Sequence, residues 1–245
     1  MDVTSERLTI PVGNASMGAY LARPTSGGPH PGVVVFMEVF GVNGHIRAVT
    51  DRIAGEGYVA LAPDVFHRTA PGIELTYDEQ GLGRGIELMG QCTASEAMAD
   101  TKAAIAALQA RSDVGGRGIG ALGFCFGGHL TYLAACELPI AAAASYYGGG
   151  VAVGAPGNEA PPTIARTSKI TGRIACFFGA DDPYIPAEQA EAVQKALTDA
   201  AVRSEVVIYP GVGHGFNCDE RGDYNQAAAG DAWLRTTTLF REELR

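Results

Sequence analysis

Short, continuous apolar runs recur along this chain, and most are followed by a longer segment with helical spacing. The clearest run is Gly32–Met37, Gly-Val-Val-Val-Phe-Met, which has no polar alternation and so reads as a strand covered on both faces. His45–Glu56 follows with Ile46, Val49 and Ile53 on one helical face, and Gly57 is a natural stop. Tyr58–Ala62 is a second buried strand ended by Pro63. Ser95–Ala110 reads as a helix opened by capping-box spacing between Thr93 and Glu96. Then come strand Ile119–Gly123, helix Gly127–Ala135, strands Ala141–Tyr147 and Ile174–Gly179, helix Ala187–Ala200, strand Glu205–Tyr209 and closing helix Asn225–Leu244. Two shorter strands, Arg7–Ile10 and Gly18–Ala22, precede them around the turn Val12-Gly13-Asn14. Such alternation predicts an α/β fold with a mostly parallel central sheet and helices on both faces. Nothing marks a domain boundary, so residues 1–245 are expected to form a single domain.

Composition excludes several function classes. The formal net charge is −9 and no basic run is present, so the chain lacks the electrostatic footprint of a nucleic-acid binder. The apolar runs are too short to span a bilayer, and Met1–Glu6 has neither the basic nor the apolar region of a signal peptide. Five cysteines, Cys92, Cys125, Cys136, Cys176 and Cys218, form no C-x-x-C pair. A cytoplasmic setting with reduced thiols, no metal and no cofactor is therefore expected.

The residues that carry chemistry fall just after strands, where open parallel sheets build their sites. Gly123-Phe124-Cys125-Phe126-Gly127 is a Gly-x-nucleophile-x-Gly turn between strand and helix, a nucleophile elbow. It would set the Cys125 thiol at a helix N-terminus, where N–H groups and the helix dipole favour a thiolate. The Phe126 N–H would point at a developing oxyanion, and the loop Met37–Asn43 offers Val39 N–H as a second donor. The overlapping G-x-G-x-x-G, Gly118–Gly123, has its glycines within a strand and is not read as a dinucleotide site. An acid and a histidine follow in the order the elbow architecture uses. Of the pair Asp181-Asp182, Asp182 is the expected acid and Asp181 the expected turn former; His214, in Gly213-His214-Gly215, is the expected base. His129 is read as a helix residue. Glu38, at the apolar end of a strand, is either a solvated loop acid or a paired buried one.

Taken together, these stretches resemble the dienelactone hydrolase (carboxymethylenebutenolidase) family of the α/β-hydrolase superfamily. The matching residues are Glu38-Val39-Phe40-Gly41-Val42-Asn43, Gly57-Tyr58 through Ala62-Pro63-Asp64, Gly123–Gly128, Phe178-Gly179 through Asp182, and Gly213-His214-Gly215-Phe216. The resemblance implies an α/β-hydrolase fold, a Cys125–Asp182–His214 triad, Glu38 as a partner of the thiol, and acyl transfer from a small lactone or ester through an acyl-thioester. It implies no nucleic-acid or membrane partner, and a monomer or small homo-oligomer. Phe40, Phe216, Arg68 and Arg84 are the expected substrate-facing residues, with Arg221 a further cation close in sequence. The chain departs from the family pattern four residues after His214, where Cys218 replaces a substrate-binding arginine, and at Gly215, where serine is common. An esterase or thioesterase for neutral substrates, or a non-catalytic thiol sensor, are the alternative readings. Thr69–Cys92 and Gly148–Pro162 are expected to be substrate-covering loops.

Overall fold

The computed structural model describes residues 1–245. Eight strands form one sheet in the order β1-β2-β4-β3-β5-β6-β7-β8. They are β1 (Val3–Val12), β2 (Ala15–Pro24), β3 (His30–Phe36), β4 (Val59–Pro63), β5 (Val114–Phe124), β6 (Ile140–Tyr146), β7 (Arg173–Gly179) and β8 (Ser204–Tyr209). β1 and β2 form an antiparallel hairpin, and β2 joins β4 antiparallel; every pairing from β4 through β8 is parallel. The expected mostly parallel sheet is therefore present. The continuous apolar runs are buried as their sequence demands: every residue of β4, and all of β3 and β7 beyond the first, is buried.

Helices α1 (Gly44–Gly55) and α6 (Gln226–Leu244) lie on one face, where Arg52 of α1 stacks on Trp233 of α6. Helices α3 (Ala94–Gln109), α4 (Phe126–Glu137) and α5 (Ala187–Asp199) cover the other. The capping box of α3 forms as predicted, with Thr93 and Glu96 bonded in both directions. Thr69–Cys92, expected as a loop, contains a further helix, α2 (Glu79–Gln91), capped by Asp78 accepting from the Gly81 N–H at 2.7 Å. Gly81, Gly83, Gly85 and Gly90 weaken its intrinsic helix signal. Packing explains two of them: a Cβ on Gly85 would sit 2.4 Å from the Val39 carbonyl oxygen, and one on Gly81 would sit 2.0 Å from that of Thr76. The G-x-G-x-x-G glycines lie inside β5, and Gly120 makes room for Leu244 of α6.

Because β3 and β5–β8 are parallel, their carboxyl ends open on one edge of the sheet. Glu38, Cys125, Tyr147, Asp182 and His214 all lie just beyond those ends. The elbow between β5 and α4 is the tightest of these turns. Cys125 has φ 55° and ψ −115°, a conformation that costs a non-glycine residue of order 1–3 kcal/mol. Its N–H donates to the Tyr146 carbonyl at 3.0 Å, tying the turn to β6. A Cβ on Gly127 would sit 2.5 Å from the carbonyl oxygens of both Phe36 and Met37, so α4 can start here only on glycine.

Gly127→Ala is therefore expected to destabilise the fold by about 3 kcal/mol or more in urea titration. Gly83→Ala, whose Cβ meets nothing within 4 Å, should stabilise by about 0.5–1 kcal/mol. Equal midpoints for the two variants would contradict this account of the elbow.

Candidate active site

Asp182, His214 and Cys125 converge at the sheet edge. Asp182 is buried, and its two oxygens divide their work. Oδ1 accepts from the backbone N–H groups of Tyr184 at 2.8 Å and Ile185 at 3.2 Å. Oδ2 meets His214 Nδ1 at 2.7 Å. The expected split, Asp181 for the turn and Asp182 for the histidine, is not clean: Asp181 lies exposed in the turn, but the Asp182 carboxylate makes the turn's side-chain bonds as well as the one to His214. This double duty fixes the carboxylate rigidly before it orients the imidazole.

His214 is buried between two tyrosine rings, Tyr147 and Tyr184, each edge-on with centroids 5.1 Å away. Burial pulls its pKa down, but the charge of Cys125 and the hydrogen bonds to Asp182 and Cys125 outweigh it and raise it to about 10. His129, one helical turn beyond Cys125, goes the other way. Burial lowers it to about 4, against a hydrogen bond to the Gly149 backbone. Its Nε2 meets Thr163 Oγ1 at 2.7 Å. It is neutral at neutral pH and ties α4 to the segment after β6.

Glu38 is fully buried, so of its two sequence-level readings the paired buried acid is the one the structure adopts. Oε1 accepts from Arg221 Nη1 at 3.2 Å and Oε2 from the Tyr77 hydroxyl at 3.2 Å, while Asn43 Nδ2 donates to that hydroxyl at 3.0 Å. Neither carboxylate oxygen bonds the Cys125 thiol. Arg221 loses solvation on burial, yet the facing Glu38 charge raises its pKa. The guanidinium also stands over the rings of Phe40 and Tyr77, at 5.7 and 5.8 Å. Gly215 makes room for it: a Cβ there would sit 2.7 Å from Arg221 Cζ, and its φ of +82° suits glycine. Cys218 lies beside this cluster, and burial and the Glu38 charge push its thiol up to about 11.

A cavity of about 390 Å3 opens onto this constellation, lined by Val39, Phe40, Cys125, Phe126, Tyr184, His214 and Arg221. Its outer walls come from Leu82, Ile86 and Met89 of α2 and from Val153–Asn158. Both segments expected to cover the site do so, the first as a helix and the second through a 3₁₀ turn at Pro156–Asn158.

Three expected substrate-facing residues are not in the cavity. Arg68 is held by the buried Asp100 carboxylate through two bonds of 2.6 and 2.7 Å, beside His67. Arg84 points outward to Glu87. Phe216 is fully buried behind the site against Tyr147 and Tyr209. Phe40 does line the cavity, and Arg221 is its one arginine. Tyr77, Tyr147, Tyr184 and the α2 face escape the sequence reading. The Leu82, Ile86, Met89 spacing was the available signal for α2, and a position two residues past Asp182 the one for Tyr184.

The family model described as the dienelactone hydrolase family matches residues 17–244. A provisionally named carboxymethylenebutenolidase of Synechocystis sp. is 43% identical over 245 residues, covering 100% of this chain and 99% of the relative. One of Escherichia coli strain K12 is 35% identical over 239 residues, covering 96% of this chain and 85% of the relative. Among solved structures, a provisionally named dienelactone hydrolase from Klebsiella pneumoniae is 30% identical with a TM-score of 0.88, covering 99% of this chain and 100% of that one. A dienelactone hydrolase-like promiscuous phosphotriesterase from metagenomic libraries is 26% identical with a TM-score of 0.84, each chain covered in full at 100%. Pyrococcus horikoshii acylaminoacyl peptidase, at 16% identity and a TM-score of 0.78, covers 100% of this chain and 42% of its own, and shares the α/β-hydrolase fold alone.

The raised pKa of His214 has a direct consequence. The folded state keeps a proton up to about pH 10 that the unfolded chain releases near ~6.5. The stabilisation is fully present below the unfolded value and is lost as pH rises through the folded one. Imidazole NMR should therefore find His214 protonated at pH 8, and Cys125→Ala, which removes the thiol's charge, should shift its titration to lower pH. A neutral His214 in the wild type at pH 8 would contradict this electrostatic account.

Proposed function

Because the chain belongs to the dienelactone hydrolase family, we propose that it is a hydrolase of small lactones or esters that uses Cys125 as its nucleophile and passes through an acyl-thioester. The observation that carries this reading is the convergence of a strained, cavity-facing Cys125 on a His214 that Asp182 holds at 2.7 Å. The ring-opening activity after which the Synechocystis relative is named fits the same apparatus.

The Cys125 proton resides on His214 before substrate binds, giving a thiolate–imidazolium pair whose cation Asp182 stabilises. The thiolate sulfur attacks the carbonyl carbon, and the carbonyl electron pair moves onto oxygen. Val39 and Phe126 both line the cavity, and their N–H groups would receive that oxyanion. Phe126 is the first residue of α4, so its N–H has no acceptor within the helix, and Val39 N–H donates to no protein group. Collapse reforms the carbonyl and breaks the C–O bond. The leaving oxygen, or the enolate of an enol lactone, takes the proton from His214. In the second half, His214 accepts a proton from water, the hydroxide adds to the thioester carbonyl, and the thiolate departs as the acid forms. Glu38 has a supporting part: it fixes Arg221 and Tyr77 beside the nucleophile.

Cys125→Ala is expected to lower kcat/KM by about a thousandfold or more on any substrate the wild type hydrolyses, with His214→Gln comparable, since triad members act as a unit. Steady-state hydrolysis of dienelactone and of a p-nitrophenyl ester, wild type beside variant, measures this. Undiminished turnover in Cys125→Ala would overturn the reading.

A further inference from the structure

One wall of the cavity is a loop, residues 149–163, whose Val153 and Pro156 stand in the lining. Val151 anchors its base in the main core, but farther out its apolar seat is small: Ala155 packs on Ala94 of α3 and Leu133 of α4. Such small side chains bury little area, so polar ties decide where this wall stands. Backbone bonds close the base, with Gly154 N–H donating to the Gly150 carbonyl and Thr163 N–H to the Gly154 carbonyl, both at 2.9 Å. At the tip, Glu159 accepts from the Ser95 N–H at 3.1 Å and the Ser95 hydroxyl at 2.9 Å, a tie exposed to solvent.

His129 supplies the buried tie, and it does so from the nucleophile's own helix. It lies one turn after Cys125 on α4 and lines the cavity. Its Nε2 meets the hydroxyl of the fully buried Thr163 at 2.7 Å, at the far foot of the loop. The Gly149 backbone bonds the ring at the near foot. A Cβ on Gly150 would come 3.3 Å from Nδ1, so the imidazole fills the space between the two feet. One neutral ring thus clamps both ends of the wall to the helix that begins at the nucleophile. Losing the Thr163 hydroxyl would leave a buried ring nitrogen unpaired, which is costly. The cavity, at about 390 Å3, is near the small end of the ~300–1,000 Å3 range of small-molecule sites, so the position of this wall limits what fits. The leaving oxygen must lie beside His214, which gives it its proton. The acyl chain therefore runs the other way, past Phe126 and His129 toward residues 153–156.

We propose that His129 is a positioning residue that determines specificity: by pinning residues 149–163 to α4 through Thr163 and Gly149, it fixes the distance from the Cys125 sulfur to the wall and so the length of acyl group the enzyme accepts. This rests on the cysteine-hydrolase reading and adds the residue that sets acyl length. A short acyl group ends before the wall and is indifferent to it. A longer one meets Val153 and Pro156 and is cut off there while the tie holds.

The test measures kcat and KM on the p-nitrophenyl esters of acetate, butanoate, hexanoate and octanoate for wild type, Thr163→Val, Thr163→Ser, His129→Leu and Cys125→Ala. Thr163→Val removes the hydroxyl and keeps the shape. It should leave kcat for the acetate ester unchanged and raise the octanoate-to-butanoate ratio of kcat/KM by about tenfold, the worth of a methylene's fit, with the change carried by KM. Hydrogen exchange of the amides at 149–163 should quicken in the same variant and nowhere else. Thr163→Ser, which keeps the hydroxyl, should retain the wild-type length profile. His129→Leu should shift the profile as Thr163→Val does, and the double variant should shift it no further. If His129→Leu does not fold, the two Thr163 variants decide alone. A uniform loss of kcat with the length profile unchanged, a shift toward shorter acyl groups, or a Thr163→Ser variant that behaves like Thr163→Val would overturn this proposal and leave the cysteine-hydrolase reading standing. Absence of any turnover that depends on Cys125 would overturn both.

Discussion

The turn at Cys125 is the constraint on which the rest depends. A cysteine held at φ 55° and ψ −115° has no local reason to stay there. It stays because β5 ends against β3 and β6 while α4 starts in contact with the carbonyls of Phe36 and Met37, and only glycine at position 127 permits that approach. The same contact brings the end of β3, and with it Glu38 and Val39, beside the thiol. The parallel register across β5, β6, β7 and β8 then delivers Tyr147, Asp182 and His214 to the same edge. Strain at one residue is thus offset by the packing of the whole sheet, the pattern expected where a site is preorganised.

Around that turn lie two buried charge pairs with different tasks. Asp182 and His214 are linked by one short bond, and Asp182 is itself anchored by two backbone donors, so the imidazole has one orientation. Glu38 and Arg221 form the second pair, supported by Tyr77 and Asn43. Removing one partner of such a pair costs about 3–5 kcal/mol because the other charge is left uncompensated. The arginine lies three residues later than the position now held by Cys218, and the missing side chain at Gly215 is the space its guanidinium fills. A side chain at 215 would press on the end of Arg221, and the φ of +82° there suits glycine.

Much of this was legible in the sequence. The continuous apolar runs of β3, β4 and β7 announce buried parallel strands, and Thr93 with Glu96 announces the start of α3. The elbow glycines, together with Asp182 and His214 at later strand ends, place the constellation because motif order and strand position are local properties. What stayed hidden depends on tertiary contact. Helix α2 carries four glycines whose helix-weakening effect is overridden by docking on Val39 and Thr76. Arg68 looked available, but its charge is absorbed by Asp100, which lies 32 residues on. Phe216 sits beside His214 in sequence yet turns into the core, because residues flanking a loop histidine need not share its direction. That Asp182 serves both turn and histidine could not be read from two adjacent aspartates.

The central claim is that the acyl group passes through the sulfur of Cys125. Rapid chemical quench of the wild-type enzyme during turnover of p-nitrophenyl hexanoate, followed by intact mass measurement and peptide mapping, tests it most directly. The account predicts a hexanoyl adduct on the peptide containing Cys125, labile to hydroxylamine and absent before substrate is added. An adduct on another residue, or steady-state turnover with Cys125 unmodified at every quench time, would contradict it.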